Sequence, residues 1–309
     1  MDGHAVKSSQ QIKLGLWLGV VGVVIFALTL PLTRIAVGTP QAPQMSGVFV
    51  ATGRAVVAAL LSALFLLFTR APRPRREDLL PLAVVALGVV FGFPLFTSIA
   101  MRHVQAVHAS VMLGVLPLAT AVVGAYLHQQ RPSKAFWGCA LFGSALVVSF
   151  AVLRSGGSGL LLQGADLLLL AAMACAAIGY AWGARLSGSM RAEHVICWAL
   201  LLTLPINLPL AWAQWPQGVI QPLAWAAFAY VAVFSMWLGF FAWYRALSLG
   251  GTVRVSQVQL IQPFLSMLFA VPLLGESLDA TTVGFGLAVM LTVFVGRKMP
   301  VITVPESQS

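Results

Sequence analysis

Two stretches of the sequence carry the same arrangement of hydroxyl and proline residues in otherwise apolar surroundings. They are residues 107–130, VHASVMLGVLPLATAVVGAYLHQQ, and residues 253–276, VRVSQVQLIQPFLSMLFAVPLLGE. A shift of 146 residues superposes the first set on the second: Ser110 on Ser256, Pro117 on Pro263 and Thr120 on Ser266. In a helix such positions lie within about 80° of one another, so each stretch presents two hydroxyls and a proline on one face. These hydroxyls can exchange hydrogen bonds with a polar solute.

The second stretch adds two amide side chains, Gln259 and Gln262, to the face that carries its hydroxyls. Polar groups on this face either line a cavity for a solute or hold neighbouring helices together. Two amides provide more hydrogen-bonding capacity than a packed helix contact uses, which favours the cavity. A proline can simply kink its helix, but it also frees a backbone carbonyl that can serve a ligand, so Pro117 and Pro263 belong to the candidate site.

The composition of the chain indicates a membrane protein. Of its 309 residues, 60% are hydrophobic and only 8% are charged, and the mean hydropathy is +0.93. A soluble domain does not have such a composition. Since one crossing of a bilayer takes about 20 apolar residues, the length accommodates about ten crossings with short loops. The three cysteines are scattered through apolar runs, so we expect no disulfide framework, no metal site and no cofactor.

We predict an all-α membrane protein with ten transmembrane helices. The predicted helices are residues 12–36, 44–68, 79–101, 106–127, 134–153, 163–186, 193–213, 223–247, 254–274 and 280–296. Glycine, proline and charge clusters separate them, and the RSGGSG segment lies between the two halves. We therefore expect four parts: a first five-helix repeat in residues 1–153, a linker in residues 154–162, a second five-helix repeat in residues 163–298 and a cytoplasmic tail in residues 299–309.

Lys and Arg are concentrated on one side of this arrangement. That side carries Lys7, Lys13, Arg70, Arg73, Arg75, Arg76, Arg131, Lys134, Arg185, Arg191, Arg245, Arg254, Arg297 and Lys298. The other side carries Arg34, Arg102 and Arg154. Because cytoplasmic loops carry the excess of Lys and Arg, both termini are predicted to be cytoplasmic. With five helices in each half, the second half then enters the membrane upside down, which gives an inverted repeat around a central cavity.

Several single residues inside the predicted helices are further candidates. Arg54 either extends to the membrane interface, or it pairs with a substrate carboxylate or orients helices from within. The aromatic residues Phe96, Tyr180 and Trp243 lie deep in their helices, where they are either cavity walls or ordinary anchors. His108, at the mouth of the fourth helix, is expected to form hydrogen bonds at the interface.

Taken together, these features resemble the drug/metabolite transporter superfamily in its EamA-type branch. The resemblance rests on ten helices in two halves, the arginine of TGRAVVAALL, the stripe from Ser256 to Pro263, and PLLGESL around Glu276 before a glycine-rich last helix. The FALTLP segment of the first helix is similar to bacterial amino-acid exporters, including those for aromatic amino acids. The first half departs from the pattern, because it has Gln130 where the shift places Glu276.

The resemblance implies an exporter of amino acids, aromatic or otherwise amphipathic, and of related metabolites, which alternates access across the bacterial inner membrane. The expected substrate-binding residues are Phe96, Ser110, Pro117, Tyr180, Trp243, Ser256, Gln259, Gln262, Pro263 and Ser266. Structural or gating roles are expected for Arg54, His108 and Glu276. The expected partners are the amino-acid substrate and the lipid bilayer; we expect a monomer and no nucleic acid.

Two alternative functions make different demands on the sequence. An intramembrane enzyme needs a nucleophile and base or a metal set, but the sequence has no G-x-S-x-G, no H-E-x-x-H and no paired aspartates, so we expect no enzyme. A proton-coupled multidrug or metabolite exporter needs a titratable group near the middle of the membrane, whereas all eight acidic residues lie in tails, loops or helix ends. We therefore expect a facilitator, with the proton-coupled exporter as the alternative.

Overall fold

The computed structural model describes residues 9–127, 130–154, 164–250, 258–298 and 301–303, and these are almost entirely helical. The first half contains α1 (Ser9–Ala27), α2 (Thr29–Val37), α3 (Gly47–Phe68), α4 (Arg76–Val85), α5 (Phe93–Ala100), α6 (Ala106–Met112), α7 (Leu116–Leu127) and α8 (Lys134–Arg154). The second contains α9 (Gly164–Leu186), α10 (Ala192–Ala213), α11 (Pro222–Tyr230), α12 (Gly239–Gly250), α13 (Gln262–Leu274) and α14 (Ala280–Lys298). Two short strands, β1 (Gln130–Pro132) and β2 (Val301–Thr303), pair antiparallel.

Seven of the described helices are long and apolar enough to cross a membrane. They are Gln10–Val37, Gly47–Phe68, Arg76–Ala100, Ala106–Gly124, Gly164–Leu186, Ala192–Ala213 and Pro222–Leu249. Three shorter apolar helices lie at Lys134–Phe150, Gln262–Leu274 and Ala280–Thr292. These segments fall where the sequence predicts helices, but the start of the predicted ninth helix, with Ser256, lies outside the described residues. Ten crossings therefore stay a prediction.

Two short turns of 3-10 helix interrupt the helices at positions that the 146-residue shift relates. Leu113–Val115 precedes α7, and Gln259–Ile261 precedes α13. A proline follows each turn, Pro117 in the first half and Pro263 in the second. A proline lacks the backbone N–H, and its ring clashes with the carbonyl four residues earlier, so the preceding turn cannot keep α geometry. The proline of each stretch thus accounts for the local break.

Two π-helical segments recur at related positions as well. Ala86–Gly92 joins α4 to α5, and Val231–Leu238 joins α11 to α12. Under the 146-residue shift the first segment falls on the second. Since π-helical turns are rare, their recurrence supports an internal duplication more strongly than the sequence pattern does.

Helices of the first half pack in pairs against helices of the second. Such pairs include α1 with α12, α5 with α9, α3 with α10, α6 with α13 and α8 with α14, and α9 also contacts α4 and α7. The 146-residue shift exchanges the first two pairs, and it relates α3 to α10 and α8 to α14, whereas the equivalent of α13 is α7 and not α6. Buried apolar side chains form two clusters, one around Phe49 and Phe150 and the other around Ile196 and Trp243.

A close backbone contact holds the first π-helical segment against α9. A Cβ atom on Gly88 would lie 2.6 Å from the carbonyl oxygen of Cys175 and 3.0 Å from Cα of Gly179. A Cβ atom on Gly179 would lie 2.6 Å from the side chain of Val89. Small residues at helix contacts in membranes permit this kind of approach. The two glycines therefore set the spacing between the π-helical segment and α9.

We predict that Gly88→Ala lowers the stability of the protein. The added methyl group overlaps a backbone carbonyl, and overpacking of this kind costs about 1 to 3 kcal/mol. Gly284→Ala is the control, because a Cβ atom there has nothing within 4 Å and an exposed helical Gly→Ala change stabilises by about 0.5 to 1 kcal/mol. Thermal unfolding of the purified variants in detergent measures the difference. Equal melting temperatures for the two variants would contradict the close contact.

Candidate functional site

A narrow cavity lies between the two halves of the chain, where the irregular helical segments meet. Val89 and Ser235 of the two π-helical segments line it, as do Leu113 and Gln259 of the two 3-10 turns. The empty space between its walls is about 680 Å³ with the opening included. The irregular turns that the duplication repeats thus converge on one place.

Most of the cavity wall is apolar and aromatic. Phe26, Phe93 and Phe240 line it together with the ring of Tyr180. Trp243 lies behind this wall, with its ring centroid 6.4 Å from the centroids of Phe26 and of Tyr180. Aromatic side chains bury much apolar area with few rotatable bonds, so the wall suits an apolar portion of a solute.

Some polar groups of the wall are satisfied within the protein. The hydroxyl of Ser110 donates to the carbonyl oxygen of Ala106 over 2.7 Å. The hydroxyls of Thr29 and Ser235 lie 2.8 Å apart and form a hydrogen bond between the two halves. These three side chains therefore bring few free hydrogen-bonding groups to the cavity.

Four other polar side chains of the wall each have a buried atom without a hydrogen-bond partner among the described residues. The atoms are Nε of Arg54, Nε2 of Gln259, Oε1 of Gln262 and Oγ of Ser266, and all four residues line the cavity. An unsatisfied buried polar group costs about 1 to 3 kcal/mol. Because these groups converge on one space, a solute that meets them would recover part of that cost.

Arg54 brings a buried positive charge to this wall. Its side chain is only 2% exposed, so it lines the cavity and does not extend to the membrane interface. Burial of an unpaired ion costs several kcal/mol, and a guanidinium stays protonated in proteins. Among the described residues no side chain forms a hydrogen bond or ion pair with Arg54, and no Asp or Glu lines the cavity. The charge is therefore uncompensated by the described part of the protein.

Polar contacts join the two halves at the end of the bundle where α6 begins. The carboxylate of Glu276 accepts hydrogen bonds of 2.8 Å from the backbone N–H groups of Ala106 and Val107. The ring Nε2 of His108 lies 2.7 Å from Oδ1 of Asp166, at the start of α9. A carboxylate is stabilised by the free N–H groups of a helix start, so Glu276 fixes α6 to the end of α13.

The opposite end of α9 contacts the first half through a different set of groups. The hydroxyl of Ser189 donates to Asp78 over 3.2 Å. The same carboxylate accepts from the backbone N–H of Arg75, which starts α4. Arg245 lies 3.7 Å from Glu193 within the second half. Polar contacts thus connect the halves at both ends of the bundle.

The structure brings most of the sequence-predicted site residues together at the cavity. Ser110, Tyr180, Gln259, Gln262, Pro263 and Ser266 line it, and so does Arg54. Phe96 does not line the cavity. It is half-buried in α5, and Phe93, one turn earlier, lines the cavity in its place. Trp243 lies behind the aromatic wall and does not line the cavity itself. Pro117 lies in α7, and Ser256 lies outside the described residues.

Several lining residues were missed by the sequence analysis. They are Phe26, Thr29, Leu30, Val89, Phe93, Leu113, Leu116, Ser235, Met236 and Phe240. Thr29 and Ser235 could have been noticed as isolated hydroxyls in apolar helices. The sequence could not show that Phe93 and not Phe96 lines the cavity, because the preceding π-helical turn inserts an extra residue and rotates the side chains that follow.

Membrane-spanning helices in two related halves, with a cavity of aromatic and polar side chains between them, are the architecture of a membrane transporter. The sequence model of the EamA-like transporter family matches residues 13–153 and 163–296. The chain belongs to this family, which confirms the resemblance seen in the sequence, and it is a multi-pass transporter and not an enzyme.

Known proteins agree with this assignment. The chain is 41% identical over 285 residues to the uncharacterized transporter YdeK of Bacillus subtilis (strain 168), a match that covers 91% of this chain and 96% of that protein. A solved crystal structure with 18% sequence identity superposes with a TM-score of 0.62 over 92% of this chain and 96% of that one. That likeness shows a shared fold.

We predict that Gln259→Leu and Gln262→Leu each reduce solute flux while expression stays normal. Loss of a hydrogen bond to a solute in a dry site costs about 1 to 3 kcal/mol, which corresponds to roughly a 5- to 150-fold loss of affinity. Phe269→Leu, on another part of α13 that does not line the cavity, is the control. Flux into proteoliposomes measures the effect. Parental flux in both glutamine variants would mean that these amides only hold helices together.

Proposed function

We propose that the chain exports amino acids, chiefly aromatic or otherwise amphipathic ones, and related metabolites. The cavity between the halves carries this proposal. Its aromatic wall suits an apolar side chain, and its buried groups without partners suit the polar end of an amino acid. The similarity of FALTLP to the sequences of amino-acid exporters points to the same substrate class.

The proposed transport cycle is alternating access by an inverted repeat of two five-helix halves. The pairing of each helix with a helix of the other half supports this cycle, because one half can rock against the other around a fixed site. Glu276 and His108 are proposed gating residues, since their contacts cross between the halves at one end of the bundle. We place the transporter in the bacterial inner membrane as a monomer of ten crossings, with both termini cytoplasmic.

The proposed energetics are those of a facilitator. A proton-driven carrier generally holds a titratable group near the middle of the membrane. In the described part of the cavity wall there is no Asp, Glu, His or Lys, and Arg54 cannot release its proton. His108 and Glu276 lie at one end, each with a partner. Without a midplane proton site, amino acids would leave along their own gradient.

We predict that a pH gradient alone drives no concentrative uptake of phenylalanine. The measurement is flux into proteoliposomes at zero membrane potential, first with equal pH on both sides and then with an imposed pH gradient. Protein-free vesicles and the Gln259→Leu variant are the controls. Accumulation driven by the pH gradient would reject the facilitator in favour of a proton-coupled exporter, and His108→Gln and Glu276→Gln would then identify the proton site.

We predict opposite accessibility for the two ends of the bundle. In a variant without native cysteines, Arg73→Cys and Gln217→Cys place single thiols in exposed loops before α4 and before α11. The distribution of Lys and Arg places the first loop in the cytoplasm and the second outside. A membrane-impermeant thiol reagent added to intact cells should therefore label only Gln217→Cys. Equal labelling of both would contradict the ten-helix topology.

A further inference from the structure

We propose that the central cavity is a site for organic monoanions, in which Arg54 pairs with the carboxylate and an α-amino group is not required. This inference rests on the proposed function, because it takes the cavity as the place where the solute crosses. It narrows the substrate class to carboxylates with an apolar or aromatic body, whether or not they are amino acids.

The positive charge of Arg54 is the first observation. The side chain is 2% exposed, lines the cavity and has a buried Nε without a partner among the described residues. A guanidinium offers paired donors in a plane that fits a carboxylate in a bidentate way. The arrangement therefore favours a planar anion in the space beside Arg54.

The acids of the described chain are engaged elsewhere. Glu276 accepts from the backbone at the start of α6, and Asp166 contacts His108. Asp78 accepts from the start of α4 and from Ser189. None of these acids lines the cavity. A counter-ion for Arg54 must therefore arrive with the solute or the solvent.

The same wall provides only neutral acceptors for an ammonium group. The described lining residues that could accept from it are amides and hydroxyls, such as Gln262, Ser266 and Ser235. An ammonium also experiences repulsion from Arg54 in a space of low dielectric constant. A cavity with one positive charge and no negative one thus pairs better with a monoanion than with a zwitterion or a cation.

The apolar residues of the remaining wall restrict the rest of the ligand. Phe26, Phe93 and Phe240 line the space with apolar rings, and Leu113 and Leu116 add further apolar wall. One arginine compensates one charge, so a dicarboxylate or a phosphate monoester would bring an unpaired charge into the site. The ligand class is therefore a monocarboxylate with an apolar body.

Three probes that share one ring separate the alternatives: phenylpropionate, phenylalanine and phenylalaninamide. Flux is measured into proteoliposomes at mildly alkaline pH, where little membrane-permeant neutral acid remains, with protein-free vesicles as the blank. We expect both carboxylates to move and the amide not to move. Arg54→Gln should lower phenylpropionate flux by roughly 10- to 150-fold, the range for a lost charge-assisted hydrogen bond. Arg54→Lys should retain part of the flux, and Arg73→Gln, in an exposed loop, should retain all of it.

Melting temperature in detergent separates binding from a structural role. Removal of an uncompensated buried charge should leave the melting temperature of Arg54→Gln equal to or above that of the parent. Phenylpropionate should raise the melting temperature of the parent and not that of Arg54→Gln. A lower melting temperature with the ligand shift preserved would overturn the proposal, because Arg54 would then be structural.

The outcomes for the two proposals differ. Flux of phenylpropionate without flux of phenylalanine would reject the amino-acid exporter and support the anion site. Flux of phenylalanine without flux of phenylpropionate, or flux of the amide at the rate of the acids, would reject the anion site and leave amino-acid export standing. If none of the three probes is transported, the melting experiment tests the anion site. The absence of stabilisation by phenylpropionate would then overturn the anion site.

Discussion

The bilayer imposes the constraint on which this structure depends, because a backbone N–H or C=O without a partner is costly in lipid. Regular α-helices meet that constraint with i to i−4 hydrogen bonds, whereas the turns before Pro117 and Pro263 and the two π-helical segments meet it with 3-10 and π hydrogen bonds. A proline still removes one backbone donor from its helix, and the carbonyl that loses its partner is best placed where protein or a polar space can meet it. Residues from all four segments line the same cavity between the halves. The irregular segments therefore lie in the interior of the bundle, where they line the candidate solute-binding cavity.

The interior of the bundle has a low dielectric constant, which strengthens the electrostatic effect of the Arg54 charge. At a surface an unpaired arginine costs little, whereas in the bundle it leaves a field that an arriving anion can neutralise. Movement of a monoanion also carries charge through the membrane potential, which is worth about 2.3 kcal/mol per elementary charge per 100 mV. In a cell with a negative interior this favours exit. An anion facilitator would therefore be a directional exporter without a proton site.

The helix positions and helix breaks could be predicted, because they depend on local sequence. Apolar runs and their boundaries locate the helices, and Pro117 and Pro263 mark the helix breaks, because hydropathy and proline geometry act within a few residues. The stripe of Gln259, Gln262 and Ser266 was recognisable as a cavity wall, since polar groups in such a helix must face inward.

The remaining part of the site depends on contacts between distant segments. Whether Arg54 extends outward or inward is decided by the helices that pack around α3, and no pattern within α3 carries that information. The contact of Thr29 with Ser235 joins residues from opposite halves. The π-helical turns shift the face of each helix that contains them, so Phe93 and not Phe96 reaches the cavity.

The duplication brings equivalent positions with different side chains to one cavity. The positions equivalent to Gln259 and Gln262 under the 146-residue shift are Leu113 and Leu116, and all four residues line the cavity. The shared backbone breaks therefore place equivalent positions around one space, while the side chains at those positions have diverged. A symmetric pair of polar walls would suit a solute that is polar at both ends. Two amides from the second half and two leucines at the equivalent positions of the first suit a solute whose polar and apolar ends differ.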